Sequence, residues 1–214
     1  MEKIETPKGT VSAAFDGPED ASLVVVLAHG AGAGMDSDFM REMAHALGTD
    51  GFRVCRFNFV YTELGKRAPD RQNVLEDTYV AVVESLRDRT DILVIGGKSL
   101  GGRIASMIAA QGAPVDGLVL LGYPLHPPGK PERIRRDHLP KIEVPMLFVE
   151  GTRDPFCPLP TLEEVRADLT APNEVHVIDD GDHSFKVRKS SGRSTADAWA
   201  EAATAVGGWL RKTF

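Results

Sequence analysis

The stretch GGKSLGG, residues 96–102, sets one hydroxyl between two pairs of glycines directly after the apolar run Ile92–Ile95. Within it Gly97-Lys98-Ser99-Leu100-Gly101 satisfies G-x-S-x-G, a pattern that chance produces about once in ten chains of this composition. Context supplies the weight. An apolar strand followed by this turn and then a helical period is the setting of a nucleophile elbow, where glycines two positions either side remove side chains that would collide. A Gly-rich phosphate loop is the alternative, but Gly97 has no glycine five residues before it, where Ile92 stands, so G-x-x-x-x-G-K-[ST] is not met.

A serine hydroxyl attacks at neutral pH only with a base in reach, and the base needs an orienting carboxylate. Of six histidines, His45 and His138 fall in helical patterns, His176 lies in a strand, and His29 comes before the serine. His183, in the polar turn DDGDHSF after the last apolar run, is the candidate base. Asp154 in EGTRDPF follows the run PMLFV and is the candidate acid, while Asp179, Asp180 and Asp182 crowd the histidine's own loop and read as turn-capping groups. The order Ser99, Asp154, His183 agrees with the chain order of hydrolases that use this elbow. Donors for an oxyanion are expected from HGAGAG, residues 29–34, through the N–H of Ala31, paired with the N–H of Leu100. The same glycines do not suit a dinucleotide, because the final glycine of G-x-G-x-x-G would fall on Met35 or Ser37, and the acidic Asp36 between them opposes a pyrophosphate.

These groups need a frame. Strands are expected at Leu23–Ala28, Phe52–Phe57, Ile92–Ile95, Gly117–Leu121, Pro145–Val149 and Val175–Ile178, with Val11–Phe15 adding an antiparallel edge. Four of them are almost continuously apolar, as strands covered on both faces must be. Between them apolar residues recur at helical spacing: Phe39, Met43, Leu47; Val74, Thr78, Val82, Leu86; Ile104, Met107, Ile108; Leu162, Val165, Leu169; and Trp199 to Leu210, with Ser194 and Asp197 spaced as a capping box. The expected fold is an α/β three-layer sandwich in one domain, residues 1–214, with a mostly parallel sheet whose ligands lie at the strands' carboxyl ends.

Composition narrows the partners. Twenty-five Lys and Arg against 31 Asp and Glu leave a net charge of −6, which argues against nucleic acid or an anionic membrane as partner. No run is long and apolar enough to span a bilayer, and MEKIETPKGT lacks the apolar centre of a secretory signal. Two cysteines, Cys55 and Cys157, make no disulfide framework. A cytoplasmic protein acting on a small-molecule acyl substrate, without metal or organic cofactor, is expected.

With these residues in order, the chain resembles the α/β-hydrolases from about residue 11 to its end. AHGAGAGMDSDFM, RFNF, GGKSLGGRIAS, LGYPLHPPGKPE and GTRDPF resemble a small branch of lidless bacterial hydrolases related to dienelactone hydrolases. The resemblance implies a Ser–His–Asp site at Ser99, His183 and Asp154, although dienelactone hydrolases carry cysteine where this chain has serine. A cap domain in this fold enters between the fourth and fifth central strands, and the 23 residues from Gly122 to Val144 leave room for a loop and one helix. An open site over small or exposed acyl groups is expected, with Asn58, Tyr123, His126 and Phe156 as substrate-contacting residues. The implied reaction is ester hydrolysis. A peptidase, amidase or acyltransferase with the same triad, and a protein-binding scaffold that keeps the fold, remain open.

Overall fold

The structure, a computed structural model, describes all residues 1–214. Eight strands form one sheet: β1 Glu2–Thr6, β2 Gly9–Asp16, β3 Leu23–Ala28, β4 Arg53–Phe57, β5 Ile92–Lys98, β6 Gly117–Leu121, β7 Met146–Gly151 and β8 Asn173–Ile178. Six helices accompany them: α1 Asp38–Thr49, α2 Val60–Glu63, α3 Gln72–Arg87, α4 Leu100–Ala110, α5 Leu159–Ala167 and α6 Thr195–Thr213. The sheet order is β1-β2-β4-β3-β5-β6-β7-β8. The first two strands pair antiparallel, β2 runs antiparallel to β4, and all later pairings are parallel.

Alternation along the buried strands divides the core. Val24, Val26 and Ala28 face one side, packed with Tyr79, Val82 and Ile104 from α3 and α4. Val25 and Leu27 face the other, against Met40, Met43 and Leu47 of α1 and Val206, Trp209 and Leu210 of α6. This period of two, with both sides covered, is why β3 reads as a continuous apolar run. The last helix starts on a capping box, Ser194 Oγ accepting from Asp197 N at 3.1 Å and Asp197 Oδ2 accepting from Ser194 N at 2.8 Å.

Two elements depart from expectation. β1 has one buried side chain, Ile4, among charged neighbours, so its pattern matches a polar tail, and only its register against β2 makes it a strand. The segment from Gly122 to Val144 holds a single 3₁₀ turn, Leu139–Lys141, and no α-helix. Chain direction away from β3 reverses between β4 on one side and β5 on the other. The crevice at the carboxyl ends of β3 and β5 is therefore the topological switch point where such sheets bind ligands. HGAGAG follows β3 there, and Ser99 follows β5.

Candidate active site

Ser99 stands between β5 and α4 with φ 51° and ψ −109°, a left-handed-side conformation that costs a non-glycine residue on the order of 1–3 kcal/mol. The surrounding packing enforces it. A Cβ on Gly97 or on Gly101 would lie 2.2 Å from the carbonyl oxygen of Ala28, so only glycines let β3, the elbow and α4 close on one another. Ser99 N donates to Leu121 O at 2.9 Å, which ties the turn to the end of β6. The hydroxyl thus projects from the N-terminus of an eleven-residue helix, where backbone N–H groups face the crevice.

Asp154 lies in the turn after β7 with its carboxylate fully enclosed. Its Oδ1 accepts from Phe156 N at 2.7 Å, and its Oδ2 lies 2.6 Å from His183 Nδ1. His183 Nε2 lies 2.8 Å from Ser99 Oγ. The histidine loop is built by its own carboxylates, as its polar composition suggests. Asp182 Oδ1 accepts from Ser184 N at 2.7 Å and Lys186 N at 2.9 Å, and Asp180 Oδ2 accepts from Arg188 N at 2.7 Å. Arg153 N donates to Gly181 O at 2.8 Å, so the acid loop and the histidine loop are held directly together. With Nδ1–H donating to Asp154, Nε2 is left as acceptor for the serine proton.

A cleft of about 160 Å³ opens above Ser99, lined by Ala31, Leu100, Pro124, His126, Phe156 and His183 among others. Ala31 N–H donates to no backbone carbonyl, and Leu100 N–H belongs to the open first turn of α4, which suits both to an oxyanion. The Phe156 ring meets the His183 ring edge-on with centroids 4.7 Å apart. His126 turns Nδ1 and Nε2 toward the carbonyls of Pro127 and Pro155, each at 3.0 Å, and so presents its ring to the cleft.

Two expected contacts are corrected. Asn58 does not line the cleft: its Oδ1 accepts from Met35 N at 2.8 Å and its Nδ2 donates to Glu63 Oε1 at 2.9 Å. Tyr123 is fully buried, its hydroxyl 3.0 Å from Ser106 Oγ beneath α4. Both follow strand ends as expected, but the path of each loop turns the side chain into the scaffold. Ser106 Oγ also lies 2.8 Å from His138 Nε2. That serine is fully buried and donates to Arg103 O at 2.7 Å in mid-helix. His138 has no carboxylate hydrogen bond, and burial, with Arg103 nearby, lowers its pKa to about 4. This pair is a neutral packing contact.

A second charged layer, Lys98 and Glu150, lies under the site, and its glutamate went unread in the sequence. Lys98 Nζ donates to the carbonyl of His183 and lies 5.3 Å from the Phe185 ring centroid. Burial lowers its pKa to about 8, against the opposing pull of Glu150, Asp154 and Asp182. Glu150, fully buried at the end of β7, accepts from Tyr123 N at 2.6 Å through Oε1, while Oε2 has no partner. Burial and then repulsion from Asp154 hold its carboxyl well above the usual range, toward the neutral acid. A lone glutamate at the end of the apolar run PMLFVE was the available signal.

A serine on a strained strand–helix turn, a histidine and a buried aspartate in later loops, and a parallel sheet define the class of α/β serine hydrolase-like proteins. A family described as alpha/beta hydrolase domain matches residues 21–211, and the chain belongs to that family. Among solved structures it is similar to Est1E from Butyrivibrio proteoclasticus with bound ferulic acid, at TM-score 0.80 and 16% identity, covering 100% of this chain and 99% of that one. It is also similar to a dienelactone hydrolase from Anabaena variabilis, at 0.78 and 18%, covering 100% and 96%. A lidless α/β serine hydrolase from Xanthomonas campestris follows at 0.75 and 22%, covering 97% and 93%. At these identities the likeness is one of fold, and that fold is the α/β-hydrolase fold.

Proposed function

We propose that the chain is a serine esterase acting on small or exposed acyl groups. The observation that carries this reading is the continuous relay Asp154 Oδ2–His183 Nδ1 at 2.6 Å and His183 Nε2–Ser99 Oγ at 2.8 Å, opening on a cleft. Ser99 Oγ attacks the acyl carbon as its proton passes to His183 Nε2, and Asp154 stabilises the imidazolium that results. The N–H groups of Ala31 and Leu100 bind the oxyanion, worth roughly 3–4 kcal/mol per donor in such sites. Collapse of the tetrahedral intermediate breaks the ester C–O bond, and the leaving alcohol takes the proton from His183. Water, deprotonated by the same histidine, then releases the acid and restores Ser99. A non-catalytic scaffold would be expected to hold Ser99 and His183 beyond hydrogen-bond reach, and the 2.8 Å contact favours catalysis. Two buried, unpaired cysteines support a reducing, cytoplasmic setting.

Fluorophosphonate labelling with intact mass tests the reading. One adduct on wild type, and none on Ser99→Ala or His183→Ala, is expected. A folded wild type that takes no adduct would overturn it, and a panel of ester, thioester and amide substrates sorts the leaving group.

A further inference from the structure

Two arginines enter the cleft beside Ser99, and neither has a carboxylate partner. Arg103 projects from the first turns of α4 and Arg135 from the loop between β6 and β7, and both line the same 160 Å³ space as Ser99 and His183. Several other arginines have a carboxylate partner, Arg136 with Asp168 at 3.5 Å, Arg166 with Glu163 at 2.7 Å and Arg153 with Asp180 at 3.5 Å, whereas Arg133 in the adjoining groove has none. Arg103 and Arg135 enter no ion pair at all. The Nε of Arg103 is shielded from solvent and has no hydrogen-bond partner, and its Nη2 has only Gln72 Oε1 at 3.3 Å.

The cleft continues, through the shared Arg103, Pro128 and Arg135, into an open groove of about 730 Å³. That groove adds Lys130 and Arg133 against Glu132 and Asp137. In a chain of net charge −6, the lining of the cleft and groove is locally cationic, with Arg103, Lys130, Arg133 and Arg135 against Glu132 and Asp137. The arginines also act on each other: Arg135 is pulled below its ordinary pKa by burial and then by Arg103, with Arg133 adding to it. Two guanidinium groups held together without an anion form an unfavourable arrangement that a bound anion relieves. A planar carboxylate matches their donor forks, and confined, low-dielectric walls strengthen the pairing. Pro124, Pro128 and Phe156 offer apolar faces for the few carbons that fit between such a carboxylate and the scissile carbonyl.

We propose that Arg103 and Arg135 form an anion subsite, and that the substrate is an ester carrying a carboxylate a few atoms from its carbonyl. The proposal rests on the serine-esterase reading above and names its substrate class.

Matched esters test it. On the acyl side, mono-(4-nitrophenyl) glutarate is compared with 4-nitrophenyl pentanoate. On the alcohol side, 3-carboxyphenyl butyrate is compared with 3-carbamoylphenyl butyrate. At low salt, wild type is expected to favour the anionic member of at least one pair by tenfold or more in kcat/KM, a preference that falls with added salt. Arg103→Gln and Arg135→Gln should each cut that anionic-to-neutral ratio about tenfold, with Arg135→Lys recovering part of it. The ratio separates charge recognition from a general loss of structure, because a merely structural defect lowers both esters together. Equal rates on both pairs in a wild type that fluorophosphonate labels at Ser99 would overturn the subsite and leave the hydrolase standing. So would an unchanged ratio in both glutamine variants. Absence of labelling would overturn the esterase reading itself, and the subsite's catalytic role with it.

Discussion

The ammonium of Lys98 donates to the backbone carbonyl of His183, joining the residue before the elbow serine to the residue proposed as its base. The space for this contact lies beside Gly122, where a Cβ would come 2.5 Å from Lys98 Nζ. Lys98 therefore acts as a strut between β5 and the histidine loop, independent of its charge on substrate. Lys98→Met keeps the stem and removes the donor. We expect kcat to fall roughly ten- to a hundredfold with a smaller change in KM, since a small displacement of His183 spoils proton transfer. Steady-state kinetics on a neutral ester reads this directly, and an unchanged kcat would show that the loop holds its pose without Lys98.

Asp154 is enclosed and its two oxygens have distinct tasks, one holding Phe156 N and one facing His183. Asp154→Asn preserves size and favours the wrong imidazole tautomer. A loss of about 10⁴ in kcat is expected, with KM little altered. Kinetics alongside a circular dichroism check of folding would decide it.

Gly101 faces the Ala28 carbonyl, where an added methyl would come within 2.2 Å. Backbone cannot yield there without moving the elbow. Gly101→Ala should destabilise the protein by about 1–3 kcal/mol, lowering the melting temperature by several degrees. Adduct formation with fluorophosphonate should slow in the same variant. Gly208, in α6, provides the control for added bulk, because nothing lies within 4 Å of a Cβ there.

His138 is held neutral by burial, its pKa lowered from 6.5 to about 4. Between those values the unfolded chain binds the proton and the folded chain does not. The stability it contributes is complete above pH 6.5 and is lost as pH falls through about 4. Urea midpoints should fall over this window by the equivalent of on the order of 2 kcal/mol, allowing for partial exposure of the ring. His138→Gln retains polar contacts for Ser106 and Tyr123 and should flatten that slope. Parallel curves for the two proteins would rule the histidine out as its source.

What the sequence alone determined is local and periodic. β3 and β6 are readable to the residue, because strands buried on both faces must be apolar throughout. The elbow is readable because a serine at positive φ needs glycine where Ala28 presses on the turn. The order Ser99, Asp154, His183 follows from which loop succeeds which strand. β1 escaped because a half-exposed edge strand buries one residue and leaves no period to see. Asn58 and Tyr123 were placed in the cleft by position after a strand, yet a loop's path decides which way a side chain turns. Tertiary structure alone decided that Glu150 would be enclosed beside Asp154. It also decided that Arg103 and Arg135, 32 positions apart, would share one cleft. Charge without a partner is a property of three-dimensional neighbourhoods, and no spacing along the chain reports it.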